Sequence, residues 1–211
     1  MSTKNFLKSI KKHRESKKRE KFKGFLEDYL ELIEGDKDIA ALAHKRLYKE
    51  ILSRGLSTLG ESDERCNKLF DGDSVKIYDY FSSQFFGMER PLERVMRFLH
   101  SASMRGEESR QVLLLLGPVG AGKSALVEHI KKALEETKSI FVLEGCPIRE
   151  EPLHLIPRSL REEFKEQYGI PVEGDLCPVC RHRLLNEYSG DYTKFPITES
   201  SFSIRGRKGV G

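Results

Sequence analysis

Apolar side chains recur at helical spacing through the first quarter of the chain. Phe22, Phe25, Leu26, Tyr29, Leu30 and Ile33 fall on one stripe, which Gly35-Asp36 breaks. Leu42, Leu47, Ile51 and Leu52 mark a further helix, ended by Gly55, so residues 1–56 predict two or three helices. Residues 57–73, with Gly60, Gly72 and several acids, predict a linker. A short strand or extended piece is expected over Val75–Tyr78, followed by Phe81, Phe85, Phe86 and Gly87. Leu92, Val95, Met96 and Leu99 predict a helix from Pro91 to His100, and the small polar stretch Ser101–Arg110 a loop.

The period then changes. Val112-Leu113-Leu114-Leu115-Leu116 is a continuous apolar run ending at Gly117, the pattern of a strand buried on both faces of a parallel sheet. Leu126, Ile130, Ala133 and Leu134 lie on one helix face. Lys138-Ser139 turns the chain, and Ile140–Leu143 predicts the next strand. Strand, glycine loop, helix and strand make a βαβ unit. Beyond Gly145, Pro147, Pro152, Pro157, Pro171 and Pro178 cut the chain into short pieces, with one helix expected near Ser159–Tyr168. No internal repeat or low-complexity segment is present.

The glycine loop carries the chemistry. Gly117-Pro118-Val119-Gly120-Ala121-Gly122-Lys123-Ser124 matches G-x-x-x-x-G-K-[ST] at every fixed position. A strand that turns sharply into a helix leaves backbone N–H groups pointing inward around an anion, and glycine fits the tight points. The helix that begins here adds its positive dipole end. Lys123 would supply a point charge to the β- and γ-phosphates of a nucleotide, and Ser124 a hydroxyl to Mg²⁺. Hydrolysis also needs an acid at the end of another strand. No apolar run ending in Asp-Glu follows Ser124; Glu144, after Phe141-Val142-Leu143, is the one candidate, and it lacks a second acid. The expectation is therefore a fragment, or a chain that binds nucleotide without turning it over.

Composition removes whole classes. Lys plus Arg number 37 against 33 Asp plus Glu, a net charge of +4 that names no partner. No window holds the eighteen or so uncharged apolar residues of a membrane span. The first thirty residues lack the apolar run of a secretory signal. Four cysteines are too few for a disulfide framework in a chain of this size, which predicts a reducing, cytoplasmic setting. Charge is unevenly spread, because residues 1–23 hold ten basic side chains against two acids. Such an arm can meet nucleic acid, an anionic membrane or an acidic partner, or form a solvated helix face. Nothing aromatic interleaves Lys8 to Lys21, so a nucleic-acid partner is not expected.

Weaker constellations remain. Cys177-Pro178-Val179-Cys180 is a C-x₂-C knuckle, with His182 two residues on. Zinc needs four ligands, and Cys66, Cys146, His154 and His182 are scattered candidates for the rest; free thiols in a turn are the plainer reading. Glu150, Glu151 and His154 flank Pro152 and suit acid–base work or the bracing of a turn. Ser200, Ser201, Ser203 and Arg205 to Lys208 form a polar, basic end, read as a hairpin or loop whose partner strand lies past Gly211. A classical kinase loop, H-R-D-x-x-x-x-N with D-F-G, is missing, and His13-Arg14-Glu15 does not replace it.

Together these residues resemble the N-terminal AAA domain of the PrkA-type serine protein kinases of bacteria. The resemblance runs from about Phe6 to Gly211. It rests on Phe6–Ile10 through Glu27–Leu30, Phe86-Gly87-Met88-Glu89, the glycine loop, the block Gly145–Pro157, Tyr168-Gly169-Ile170 and the Gly206–Gly211 end. It implies an α/β P-loop NTPase core of the AAA+ kind, parallel-sheeted and incomplete at its C-terminus, binding ATP with Mg. The domain division expected is 1–72, a basic helical region with linker, and 73–211, the nucleotide-binding domain. Residues matching Phe85-Phe86-Gly87-Met88 lie near the adenine in AAA+ proteins, which makes Phe86 and Gly87 candidate nucleotide contacts. The resemblance further implies a serine/threonine protein kinase acting on a protein substrate, able to form a homo-oligomer. Its second acidic motif, sensors and kinase-like region are expected past Gly211. An AAA+ remodeller or ATP-dependent protease component, and a nucleotide-gated adaptor, are the other readings.

Overall fold

The structure is a computed structural model that describes Leu7, Lys8, residues 22–60, Glu64, Lys68, Phe70 and residues 73–201. Most of the basic arm, Cys66, Ser203 and residues 205–211 lie outside the described residues.

In chain order the elements begin with β1 (Lys23–Gly24), α1 (Leu26–Gly35), α2 (Ala43–Ser53) and β2 (Leu56–Leu59). There follow β3 (Val75–Tyr78), α3 (Asp79–Ser82), α4 (Glu89–Ser103) and α5 (Lys123–Glu136). The last are β4 (Ile140–Leu143), α6 (Arg161–Tyr168), α7 (Pro178–Asn186) and β5 (Ile197–Ser200). Short 3₁₀ turns join several of them. No described helix is long and apolar enough to cross a membrane.

The described residues form two compact units, one of those up to Ala40 with Ser139–Ser201, the other of those in Ala41–Lys138. In the first, α1 starts where the Phe25 N–H donates to Asp28 Oδ2 at 2.7 Å, and Glu27 and Asp28 face the positive end of the helix. Its stripe buries Tyr29 and Ile33 with Leu143, Leu153, Leu155, Phe195 and Ile197. Removing such side chains from water is the main term holding the unit together, at about 1.5–3 kcal/mol each. The sheet has the order β1-β5-β4, antiparallel throughout, with Leu143 opposite Ile197 and Gly24 also opposite Ile197 on the other side. The polar end near Ser200 thus begins in a strand whose partners are β4 and β1.

In the second unit α4 and α5 both pack on α2. The predicted stripe of α4 is buried as expected, with Leu92, Val95, Met96 and Leu99 meeting Ile51, Phe81 and Leu126. Leu56–Leu59, expected in a linker, is instead a strand paired antiparallel with β3, Leu59 opposite Val75. The helix α4 also runs on to Ser103, inside the expected loop, before a 3₁₀ turn over Glu107–Arg110.

The largest departure is the apolar run before the glycine loop. Val112–Leu116 is irregular, and Val112, Leu114 and Leu116 are 91%, 72% and 84% exposed. Only Leu115 turns inward onto the core of its unit. A strand exists by pairing with a neighbour, and among the described residues nothing pairs with this run. Both described sheets are antiparallel, so the expected parallel core is not seen among these residues.

Candidate nucleotide-binding site

The glycine loop leads straight into α5. Gly122 is the residue before the helix and stands in the left-handed region at φ 76°, ψ 5°; Gly120 stands there too, at φ 82°. A side chain costs energy in that region, so these two glycines let the loop double back before the helix. The Leu126 N–H donates to Gly122 O at 2.9 Å, closing the first helical turn. The residue before the helix has no side chain to cap it. The first N–H groups of α5 therefore keep no side-chain acceptor and point into the loop with the positive helix end.

Lys123 curls back over the loop. Its Nζ donates to Gly117 O at 2.8 Å and Pro118 O at 2.6 Å. The ammonium is thus held at the mouth of the turn, where it can exchange carbonyl oxygens for phosphate oxygens. Val119, Gly120, Ala121 and Ser124 are exposed, so the rim is open to solvent.

The helix below is firmly anchored. His129 Nε2 lies 3.0 Å from Tyr80 O, and Tyr80 OH donates to His129 O at 3.0 Å. The His129 ring packs on Tyr80, Phe81 and Phe85. A Cβ built on Gly122 would lie 3.7 Å from Met88 Sδ and 4.0 Å from Phe85 Cε1. The segment Phe85–Met88 therefore lies against the glycine loop. Phe85 is buried core, while Phe86 is 81% exposed and Gly87 exposed. Phe86 lines a recess of about 110 Å³ with Lys76, Phe81 and Glu89, to which no residue of the glycine loop contributes.

Glu144, the candidate second acid, belongs to the other unit. Its carboxylate pairs with Lys23 Nζ at 3.2 Å, and its carbonyl accepts from Arg183. It is engaged structurally where it stands.

The cysteines are less scattered than their spacing suggests. Cys146, Cys177 and Cys180 converge, and Glu150 joins them. Burial works to raise the Cys146 thiol, but the Glu150 N–H and the neighbouring thiols bring it below the ordinary cysteine value. Burial, then the same neighbours, pushes the Cys180 thiol up. His182 is exposed and apart from the cluster. His154 touches it only through Glu150, with Nδ1 3.1 Å from Oε1. The spacing points to the C-x₂-C pair and sets Glu150 beside His154, and only the fold shows that Glu150 also joins the cysteines.

A glycine loop that runs into a helix under a curled-back lysine has the arrangement of a P-loop, and the whole chain adds a narrower relationship. Residues 24–211 match the family model described as the PrkA AAA domain, and the chain belongs to that family. It is 37% identical to the "ATP-dependent protease PrkA" of Bacillus subtilis over 98% of this chain and 32% of that protein. It is 32% identical to the "Serine/threonine kinase YeaG" of Escherichia coli K12 over 82% of this chain and 28% of that protein. A shorter stretch, 32% of the chain, is 36% identical to 6% of a mitochondrial Lon protease homolog of Yarrowia lipolytica. The chain spans about a third of the length of the Bacillus and Escherichia relatives. No solved structure matches it.

Proposed function

We propose that the chain binds Mg·ATP through Gly117–Ser124. The backbone N–H groups of the loop and of the first turn of α5 cradle the phosphates. Lys123 Nζ leaves its two carbonyls for the β- and γ-phosphate oxygens, and the Ser124 hydroxyl takes a position on Mg²⁺. The observation that carries this reading is the pair of left-handed glycines opening into an uncapped helix under Lys123. Gly117, Pro118, Val119 and Ala121 shape the rim, and Phe86 with Gly87 flank the base. Binding is tested by titrating Mg·ATP into the 211-residue chain.

In the full-length protein this nucleotide serves transfer of the γ-phosphoryl group to serine or threonine of a protein substrate. The name of the Escherichia coli relative supports that reading. The second reading, an ATP-dependent protease component or remodeller, is supported by the name of the Bacillus relative and the shorter likeness to Lon. Radiolabel transfer from γ-labelled ATP to a serine-containing protein by the full-length protein supports the first. ATP-dependent loss of substrate without label supports the second. The 211-residue chain alone is expected to release negligible phosphate from ATP, and steady turnover would overturn that. A homo-oligomer is part of the proposal, checked by light scattering with and without Mg·ATP.

A further inference from the structure

The first unit gathers four metal-seeking groups that the nucleotide site does not use. One ligand atom each from Cys146, Glu150, Cys177 and Cys180 lies within 4.8 Å of the other three. Cys146 Sγ is 3.9 Å from Cys177 Sγ and 4.0 Å from Glu150 Oε2. In a tetrahedral zinc site with Zn–S of about 2.3 Å, neighbouring sulfurs stand roughly 3.8 Å apart. The Cys146–Cys177 pair is thus already at the spacing of a tetrahedron's edge, and no pair of the four ligand atoms is more than 4.8 Å apart. The sulfurs are far from the roughly 2.05 Å of a disulfide.

The fold builds this arrangement from two separate segments. Cys146 ends the turn after β4, and Arg149, at φ 54°, swings the chain so that buried Glu150 faces back. Cys177 caps α7 and Cys180 sits in its first turn, with Pro178 at the first helical position. Backbone donors are aimed at sulfur, as thiolate ligands require. The Glu150 N–H donates to Cys146 Sγ at 3.4 Å, and the Cys180 N–H to Cys177 Sγ at 3.3 Å. The Glu150 side chain is 2% exposed. Its Oε1 is fixed by the Cys177 N–H at 2.7 Å and by His154 Nδ1, whose ring is held in turn through Nε2 at 2.8 Å from Glu173 O. Oε2 is left to face sulfur. This is a ligand set with its supporting shell in place.

Buried Cys146, Glu150 and Cys180 and half-buried Cys177 bring four soft or anionic ligand atoms to one point. We propose that Cys146, Glu150, Cys177 and Cys180 hold one zinc ion, which fastens the turn after β4 to the start of α7. Soft thiolates at tetrahedral spacing select zinc over magnesium or calcium, and four protein ligands leave no open position, which makes the site structural.

The test uses the 211-residue chain, purified under reducing conditions and dialysed free of loose metal. Elemental analysis is expected to find about one zinc per chain. Titrating cobalt alone into the demetallated chain is expected to give the intense visible bands of a tetrahedral ion, with strong thiolate-to-cobalt charge transfer. Cys177→Ser and Cys180→Ser lose the stoichiometric zinc, and His154→Ala weakens zinc binding by about 10- to 100-fold. The cobalt titration needs no variant, so it decides the matter even if the serine variants fail to fold. Zinc well below one per chain together with no tetrahedral cobalt spectrum overturns the proposal. So does iron in place of zinc.

Discussion

Gly122→Ala perturbs the backbone of the glycine loop and little else. The position stands at φ 76°, ψ 5°, where an L side chain costs about 1–2 kcal/mol. The new methyl would meet Met88 Sδ at 3.7 Å and Phe85 Cε1 at 4.0 Å, which is ordinary contact and adds no steric cost. The whole penalty therefore falls on the conformation that leads into α5. If that conformation binds phosphate, its population falls and the Kd for Mg·ATP rises by about 5- to 30-fold. Gly117 supplies the contrast. It has no left-handed φ, and a Cβ there would meet Ala121 Cβ and Lys123 Cδ at 3.8 Å. Gly117→Ala therefore changes the stability of the free chain by less than about 0.5 kcal/mol. Calorimetric titration with Mg·ATP, paired with urea unfolding of each variant, separates the two effects. Wild-type ATP affinity and wild-type stability in Gly122→Ala would refute the reasoning.

Other outcomes follow from the packing and the charges. Phe195 is fully buried between Tyr188 and the Arg183 guanidinium, so Phe195→Ala costs about 3–5 kcal/mol, read as a lower urea midpoint. Leu115 faces the core while Leu114 is 72% exposed; Leu115→Ala lowers the melting temperature and Leu114→Ser leaves it within a degree or so. The Thr193 hydroxyl, then Lys194 and the Thr193 N–H, holds the Asp191 carboxyl below its ordinary value. Its contribution is full above the unfolded-state pKa and is lost as pH falls through the lower folded-state value. Asp191→Asn accordingly flattens that acid limb in unfolding curves taken from pH 5 downward; an unchanged limb would count against the contact.

What could be read from the chain depended on how local the cause was. The stripe Leu92, Val95, Met96 and Leu99 is set by a 3.6-residue period and needs no partner to be seen. The glycine loop was legible for the same reason, since its spacing encodes a turn and a charge within eight residues. Strand partners were not. The tetrapeptide Ile-Thr-Glu-Ser at 197–200 has one large apolar residue, yet it sits in the middle of a sheet because β4 and β1 come to it from far along the chain. Conversely, Val112–Leu116 has the composition of a central strand but no strand neighbour among the described residues, and composition cannot report that. The knuckle was half legible. Cys177 and Cys180 stand out by spacing, but α7 was missed although Pro178 after a capping residue marks a helix start. Cys146 and Glu150 arrive from about thirty residues upstream, so only the fold joins them to it.

The most direct test is calorimetric titration of the 211-residue chain with ATP, with and without Mg²⁺, alongside Lys123→Ala. Charge-assisted hydrogen bonds to phosphate are worth about 1.5–3 kcal/mol each, partly offset by the two carbonyl bonds Lys123 gives up. The account predicts saturable binding at one site, strengthened by Mg²⁺ and weakened at least about tenfold in Lys123→Ala. No binding by the wild-type chain, or equal affinity in the variant, would contradict it.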